Sequence, residues 1–273
     1  MGDLVVDAGG ALYFTNTLRH TVFKIPHYAA TPEIFAGLPL PMLCPIGYQP
    51  PCYAFDFRDG RGQDARFFSP VGLAIDTNGD VLVADEGNHT IRRIKPNSDV
   101  TTLFASAPNF YPEKLVVDAP RNRMVVINGQ ISLEAVSFTG QITHIAGLFN
   151  GQAGVMVDGD VSYARFGGAN SVAVDAAGNI FVADWGIVGS SYAGAIRHVV
   201  PGQTFPRTPQ YNYSTTVRTL PLTPAQVSNG QGFTWISDTT LGGSLTLSWI
   251  NGNTLLLADP TRHTVRTVSW AYP

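Results

Sequence analysis

Three histidines share one sequence frame. His20, His89 and His263 each lie four residues after an Asn or Asp (Asn16, Asp85 and Asp259), and each precedes a Thr and a β-branched residue. Three imidazoles can hold zinc, but only when their nitrogens stand about 2 Å from the metal and hence about 3.5 Å from one another. Equivalent residues of successive strand-turn-strand units are about 10 Å or more apart, because strands alone stack about 4.8 Å apart. The recurrence therefore reads as a turn contact within each unit, and neither a metal nor any other cofactor is expected. His27, His144 and His198 stand outside this frame.

Acidic and amide side chains recur in the same way. Asn16, Asp85, Asn128, Asp184 and Asp259 close the second strand of five successive units, a set that can in principle ring a calcium ion or a ligand. A site needs different residues from different units, whereas one residue repeated in every unit is the mark of turn capping. The chain has no G-x-S-x-G elbow, H-E-x-x-H pair or P-loop, so no nucleophile is seen beside a base.

The elements that carry these residues are repeats. Leu73 to Asp85 and Val172 to Asp184 are two copies of one unit, and Leu4 to Asn16 is a third. Leu115 to Asn128, one residue longer, and Leu247 to Asp259, with Ile250 at the position of the first Asp, are weaker copies. Each unit reads as a short apolar strand, a tight turn and a second strand. In the turn Asp7, Asp76 or Asp175 can accept backbone N–H bonds, and Gly10, Gly79 or Gly178 supplies positive φ. The unbroken apolar first strands predict innermost strands covered on both faces. Third strands follow at Thr21 to Ile25, Thr90 to Ile94, Ser132 to Val136, Ala195 to Val199 and Thr264 to Val268. Fourth strands follow at Glu33 to Ala36, Val100 to Ala105, Gln141 to Ala146 and Thr215 to Leu220, with none after the fifth unit.

No segment shows helical periodicity. The expectation is an all-β chain of five antiparallel four-stranded sheets set radially, a β-propeller, with the last blade incomplete. Blades fall at about 1–37, 64–105, 111–147, 164–220 and 244–273, in a single domain. Beginning on a first strand and ending after a third, the chain reads as a piece of a longer protein or as a ring closed in an unusual way.

Composition agrees. Of 273 residues 44% are hydrophobic and 11% aromatic, enough for a core, while 28 Gly and 19 Pro fit many short elements joined by turns. With 17 basic against 20 acidic residues the chain lacks the excess charge of a general nucleic-acid binder. No apolar run is long enough to span a membrane, and the opening Met1-Gly2-Asp3-Leu4 carries no targeting signal. Cys44 and Cys52, eight residues apart among prolines, point to a loop disulfide and an oxidising, extracellular or cell-surface setting. The sequons at Asn88 and Asn212 agree with this.

The residues resemble the NHL repeat family. Asp59-Gly60 with Ala65-Arg66-Phe67 and Pro70, the run Ala84-Asp85 to Asn88-His89-Thr90-Ile91-Arg92, and the parallel Asp158-Gly159, Ala164-Arg165-Phe166 and Ala183-Asp184 carry the likeness. It implies a propeller whose top face holds the turns between second and third strands and the connections between blades. It leaves function open, since such propellers include adhesion modules, RNA-binding regulators, kinase sensor domains and a metal-dependent lyase.

Departures from the repeat mark the expected binding surface. The insertion from Leu38 to Arg58 holds the cysteines and Tyr48, Tyr53, Phe55 and Phe57; a second, Trp185 to Gly194, brings Trp185 and Tyr192 to the same face of its blade. Both are aromatic and nearly uncharged, as contact surfaces are. Trp185, Tyr192, Tyr48, Tyr53 and Phe55 are the candidate ligand-binding residues, for a protein or peptide partner. A third insertion, Pro201 to Tyr213, belongs to the opposite face. The reading is a non-enzymatic binding propeller, with a propeller enzyme of the lyase or lactonase type and a receptor-kinase sensor domain as alternatives.

Overall fold

The computed structural model describes residues 2–39, 57–104, 107, 109–147, 154–160, 163–188, 191–200, 216–219, 227–229, 246–251, 254–259 and 264–269. The turns anticipated at Asp7, Asp76 and Asp175 are all formed. Oδ1 of each Asp accepts the N–H four residues on, from Ala11 at 2.8 Å, Asp80 at 2.9 Å and Asn179 at 2.7 Å. Gly10, Gly79 and Gly178 take φ of 82°, 80° and 82°, the left-handed region that a side chain would strain. The third unit reaches the same end differently. A single 3₁₀ turn, Ala119–Arg121, is closed by Asn122 at φ 49°, and the buried Asp118 carboxylate accepts from Arg123 Nε at 2.8 Å.

Five antiparallel sheets result among the described residues. The first holds β1 (Leu4–Val6), β2 (Leu12–Asn16), β3 (Thr21–Ile25) and β4 (Glu33–Ala36) in sequence order. The second runs β5 (Gly60–Arg61), β9 (Asp99–Thr102), β8 (Thr90–Ile94), β7 (Val81–Asp85) and β6 (Pro70–Ile75). The third holds β10 (Pro112–Asp118), β11 (Arg123–Asn128), β12 (Ser132–Ser137) and β13 (Ile142–Gly147) in order. The fourth runs β14 (Gly159–Asp160), β18 (Thr216–Thr219), β17 (Ser191–Val200), β16 (Ile180–Val188) and β15 (Ser171–Val174). The fifth runs β19 (Val227–Asn229), β22 (Thr264–Ser269), β21 (Thr254–Asp259) and β20 (Thr246–Asn251).

Three details go beyond the repeat pattern. The connections into the second and fourth sheets add the two-residue strands β5 and β14 to the outer edges, pairing Gly60 with Val100 and Gly159 with Val217. The fifth sheet, expected to lack a fourth strand, obtains one from the preceding connection, where Val227 pairs with Val268. In each case the connecting chain occupies hydrogen-bonding groups on a sheet edge. The expectation that every first strand is covered on both faces fails at β1, where Leu4 is 54% and Val6 56% exposed.

Two compact units divide the chain, Met1–Val117 with Phe138–Gln141, and Asp118–Ser137 with Ile142–Pro273. In the first, Ala11, Tyr13, Val22 and Ala36 of the first sheet and Leu73, Val81, Val83 and Ile94 of the second form one buried cluster, with Phe67 of the connection. In the second, Ile180, Phe181, Val182 and Ala183 of β16 are all fully buried.

The aspartate turns predict a graded response. Asp76→Ala leaves the Asn78 and Asp80 N–H groups without their acceptor, at 2.8 and 2.9 Å, in a turn whose ends, Asp76 and Asp80, are buried while its tip is exposed. Urea unfolding should show a loss of about 1–3 kcal/mol, with Asp76→Asn losing less because an amide oxygen remains. An unchanged midpoint for Asp76→Ala would show that the turn does not need the carboxylate.

Candidate functional site

The segments leading into the second and fourth sheets fold alike, through bridges between Arg58 and Arg66 and between Val157 and Arg165. Each is fastened by an arginine of the third strand. Arg92 Nη1 donates to the Arg66 carbonyl at 2.8 Å and to Asp85 Oδ2 at 3.0 Å; Nη2 donates to the Arg58 carbonyl at 2.9 Å and to Asp59 Oδ1 at 2.7 Å. Arg197 repeats the set on the Arg165 carbonyl (3.0 Å), Asp184 Oδ2 (2.7 Å), the Val157 carbonyl (2.8 Å) and Asp158 Oδ1 (2.8 Å). Both guanidinium groups are fully buried. Phe57 and Phe67 lie 4.8 and 5.0 Å from the first, and Phe166 5.6 Å from the second.

The second oxygen of each aspartate is also used. Asp85 Oδ1 accepts from Phe68 N at 2.7 Å, and Asp184 Oδ1 from Gly167 N at 3.0 Å and Gly168 N at 2.9 Å. Burial pushes the Asp85 carboxyl up to about 6, against the lowering pull of Asn88, Arg92 and the Phe68 N–H. It raises Asp184 likewise. At Asp59 burial also acts upward, but the Thr102 hydroxyl and N–H and the Arg92 guanidinium together hold the carboxyl below its usual range. Fully bonded inside the protein, Asp85 and Asp184 hold connections in place. Asn16 caps its turn, accepting from Arg19 N at 3.1 Å.

The histidine frame has a different use from the one its sequence suggests. His20 and His89 are the left-handed residues ending the 3₁₀ turns Thr17–Arg19 and Glu86–Asn88, with φ of 56° and 54°. Rather than bonding within their own units, they reach the next connection: His20 Nδ1 accepts from Ser69 N at 2.9 Å, and His89 Nδ1 donates to the Phe110 carbonyl at 3.0 Å. The two imidazoles therefore carry opposite tautomers, and burial lowers the His20 pKa. Their rings flank Phe68 (5.5 Å from His20) and Tyr111 (4.7 Å from His89). A row of rings thus lines the β2–β3 and β7–β8 turn end, where Leu18 is 91% and Tyr111 44% exposed. His263 lies outside the described residues.

Comparison with known proteins places this geometry. Residues 67–94, spanning β6 to β8, match the model of the NHL repeat. Human Teneurin-4 is 30% identical over 115 residues, which are 42% of this chain and 4% of that protein. Among solved structures, a chain of the nidogen/laminin complex superposes with a TM-score of 0.56 at 14% identity, covering 97% of this chain and 74% of that one. Virginiamycin B lyase from Staphylococcus aureus does so with a TM-score of 0.55 at 13% identity, covering 98% and 80%. This chain has a β-propeller fold, with an NHL repeat at residues 67–94. The chain spans only a small part of the teneurins it matches.

Of the propeller's anticipated contact residues, Tyr48, Tyr53 and Phe55 lie outside the described residues, as do Cys44 and Cys52 and the stretch from Pro201 to Tyr213. The segment from Trp185 to Gly194 prolongs the β16–β17 hairpin, pairing Trp185 with Gly194 and Ile187 with Tyr192. The connection backs it, with Met156 N donating to the Ile187 carbonyl at 3.2 Å. Trp185 is half-buried. What the sequence reading missed is the arginine pair. Arg92 lies seven residues after its partner Asp85 and Arg197 thirteen after Asp184, so no common spacing signals their role, and only the shared Asp-Gly and Ala-Arg-Phe segments do.

Among the described residues, a further buried polar cluster surrounds Glu134. Ser132 Oγ donates to Glu134 Oε1 at 3.0 Å, and His144 Nδ1 donates to the same oxygen at 3.1 Å. A nucleophilic serine needs the imidazole itself as proton acceptor, so this order is structural. The bond to Glu134 chiefly raises the His144 pKa, against the lowering effect of burial.

Two expectations follow from these contacts. Arg92→Met strands the Asp85 charge and should cost about 3–5 kcal/mol in urea unfolding; adding Asp85→Asn should recover part of it, and strict additivity would show that the two are not coupled. His144 has a raised folded pKa, so its stabilisation is complete below about pH 6.5 and fades as pH rises through the folded value. Melts of His144→Gln should fall furthest below wild type near pH 5.5 and approach it near pH 8.5. The opposite trend would assign the bond no charge.

Proposed function

We propose that this propeller is a non-enzymatic recognition module that binds a protein or peptide through the end of its sheets carrying the second-to-third strand turns. The single observation behind the reading is the separation of duties among polar groups. Asp85, Asp184, Arg92 and Arg197 are consumed in fastening connections, and His20 and His89 in fastening turns. Exposed at that end is an apolar and aromatic set, Leu18 and Tyr111, with Phe57 at 47% and Tyr163 at 55% on the connections of their own sheets, interspersed with charged residues such as Arg19 and Arg58. Trp185 and Tyr192 extend the same end of the fourth sheet, and Tyr48, Tyr53 and Phe55 belong to the connection that leaves the corresponding end of the first. Exposed aromatic area on a rigid frame is the usual make-up of a recognition surface. The likeness to a chain of the nidogen/laminin complex agrees with a protein partner. An extracellular or cell-surface setting, with Cys44 and Cys52 joined, completes the proposal.

The test uses opposite ends of one sheet. Tyr28, 95% exposed, lies in the β3–β4 turn, away from Leu18. Against a panel of extracellular proteins, wild type should retain a ligand that Leu18→Glu, Tyr111→Ala or Trp185→Ala weakens about tenfold or more, while Tyr28→Ala leaves it unchanged. Loss on Tyr28→Ala alone would move the surface to the other end and overturn the reading.

A further inference from the structure

Phe68 and Ser69 present two consecutive backbone N–H groups, and each is accepted by a titratable side chain. Asp85 Oδ1 accepts from Phe68 N at 2.7 Å, and His20 Nδ1 from Ser69 N at 2.9 Å. The histidine ends the turn after β2 of the first sheet and the serine belongs to the connection into the second, so this bond ties one sheet to the next. All of these groups lie in one compact unit, Met1–Val117.

A backbone N–H can only donate, so Nδ1 of His20 carries a lone pair and the ring proton sits on Nε2. Protonation puts a second hydrogen on Nδ1, directly against the Ser69 N–H. The bond is then lost, and two donors face each other where an acceptor is needed. Ser69 has a φ of 51°, a left-handed conformation that a serine keeps only where its surroundings hold it.

Two corresponding contacts lack this property. His89 Nδ1 donates to the Phe110 carbonyl, so a second proton goes to Nε2 and leaves that bond intact. Gly168 stands where Ser69 does in the shared Ala-Arg-Phe frame, and its N–H goes to Asp184 Oδ1 at 2.9 Å.

We propose that His20 is an acid-operated latch on the connection between the first and second sheets: proton uptake at Nδ1 releases the Ser69 N–H and lets Ser69 leave its left-handed conformation. The neighbouring fastenings do not titrate. Thr17 Oγ1 donates to the Pro70 carbonyl at 2.9 Å and Thr15 Oγ1 to the Val71 carbonyl at 2.7 Å, which confines the release to the residues around Ser69. Leu18 lies in the turn that His20 ends, so the release acts on the recognition end proposed above; the latch itself does not depend on that reading.

The charged groups on the elements packed about the contact are Arg19 in its own turn, Asp3 before β1, Arg66 in the connection, and Asp85, Glu86, His89 and Arg92 of the second sheet. Among the described residues none of them forms an ion pair with His20, and Asp85 is paired with Arg92. Burial lowers the His20 pKa from its ordinary 6.5. Its stabilising contribution is therefore whole above that value and is lost as the pH falls from it toward the folded pKa. Asp85, pushed up to about 6, acts in the opposite sense, since its protonation in that range favours the folded state. Oδ1 can still accept from Phe68 when the proton is on Oδ2. A melt of the whole protein mixes the two effects, whereas the Ser69 amide reads the histidine by itself.

Amide hydrogen exchange on the whole chain tests this, read residue by residue in NMR spectra from about pH 7.5 to 5 and corrected for the intrinsic effect of pH on exchange. In wild type the protection of Ser69 should fall about fivefold or more on acidification, in step with proton uptake on His20 Nδ1 seen in the ring nitrogen spectrum, while Phe68 stays protected. His20→Asn puts an amide oxygen in the place of Nδ1, does not titrate, and suits the left-handed backbone that Asn122 adopts at φ 49°. Its Ser69 protection should change less than about twofold. His89→Asn should respond to acid as wild type does. A proton on Nδ1 of His20 at pH 7.5 overturns the proposal, as does Ser69 protection that fails to follow the His20 titration; both are read on wild type alone. An acid response in His20→Asn equal to that of wild type, or one lost in His89→Asn, overturns it as well.

Discussion

A buried arginine holding a connection is the constraint from which the rest of this structure follows. A propeller blade is a small sheet that cannot bury its own faces, so its position depends on the chain linking it to the next blade. Those links are irregular and would lose their backbone partners if left free. Arg92 and Arg197 satisfy two carbonyls each while pairing with two carboxylates, one buried and one at the edge. A guanidinium suits this task because it is planar and presents its donors as a fork; a lysine could not reach four acceptors in two directions. Removing a charge from water is costly, and the cost is offset here by four charge-assisted bonds and by aromatic rings beside the cation.

That dependence explains why the sequence disclosed some features and concealed others. Asp76 and Gly79 act within five residues of each other, so turn chemistry alone identifies their roles, and the structure forms those turns as expected. The strand order followed from the same local periodicity. Arg92 acts across 26 to 34 residues on main-chain carbonyls, which carry no sequence signature. The exposed edge filled by Val227–Asn229 was hidden for a similar reason, since a three-residue strand in a connection has no periodicity to read. The repeated histidines misled on distance. His20 and His89 were expected to bond within their own units, but a left-handed residue at the end of a 3₁₀ turn points its side chain toward the neighbouring connection.

Repetition and function also divide along physical lines. Residues that recur in register, such as Asp85 and Asp184, have their hydrogen-bonding capacity used up inside the fold, which leaves little for a ligand. The opposite tautomers of His20 and His89 make the same point at finer scale. Nδ1 accepts in His20 and donates in His89, according to whether the adjoining connection presents an N–H or a carbonyl. Position in the repeat fixes the backbone, and local partners then decide the chemistry.

The same logic separates what the turns and the faces can do. A turn fastened by the His89 contact to the Phe110 carbonyl tolerates an exposed Tyr111 ring, whereas Phe57, beside the Arg92 guanidinium, also supports the connection. An exposed ring such as Tyr111 can therefore vary without loss of the blade. A sheet face has no such freedom: Leu73, Val81, Val83 and Ile94 must match the sheet they lie against. Turn-end residues can change while the blade stands, and face residues change only together with the sheet they pack against.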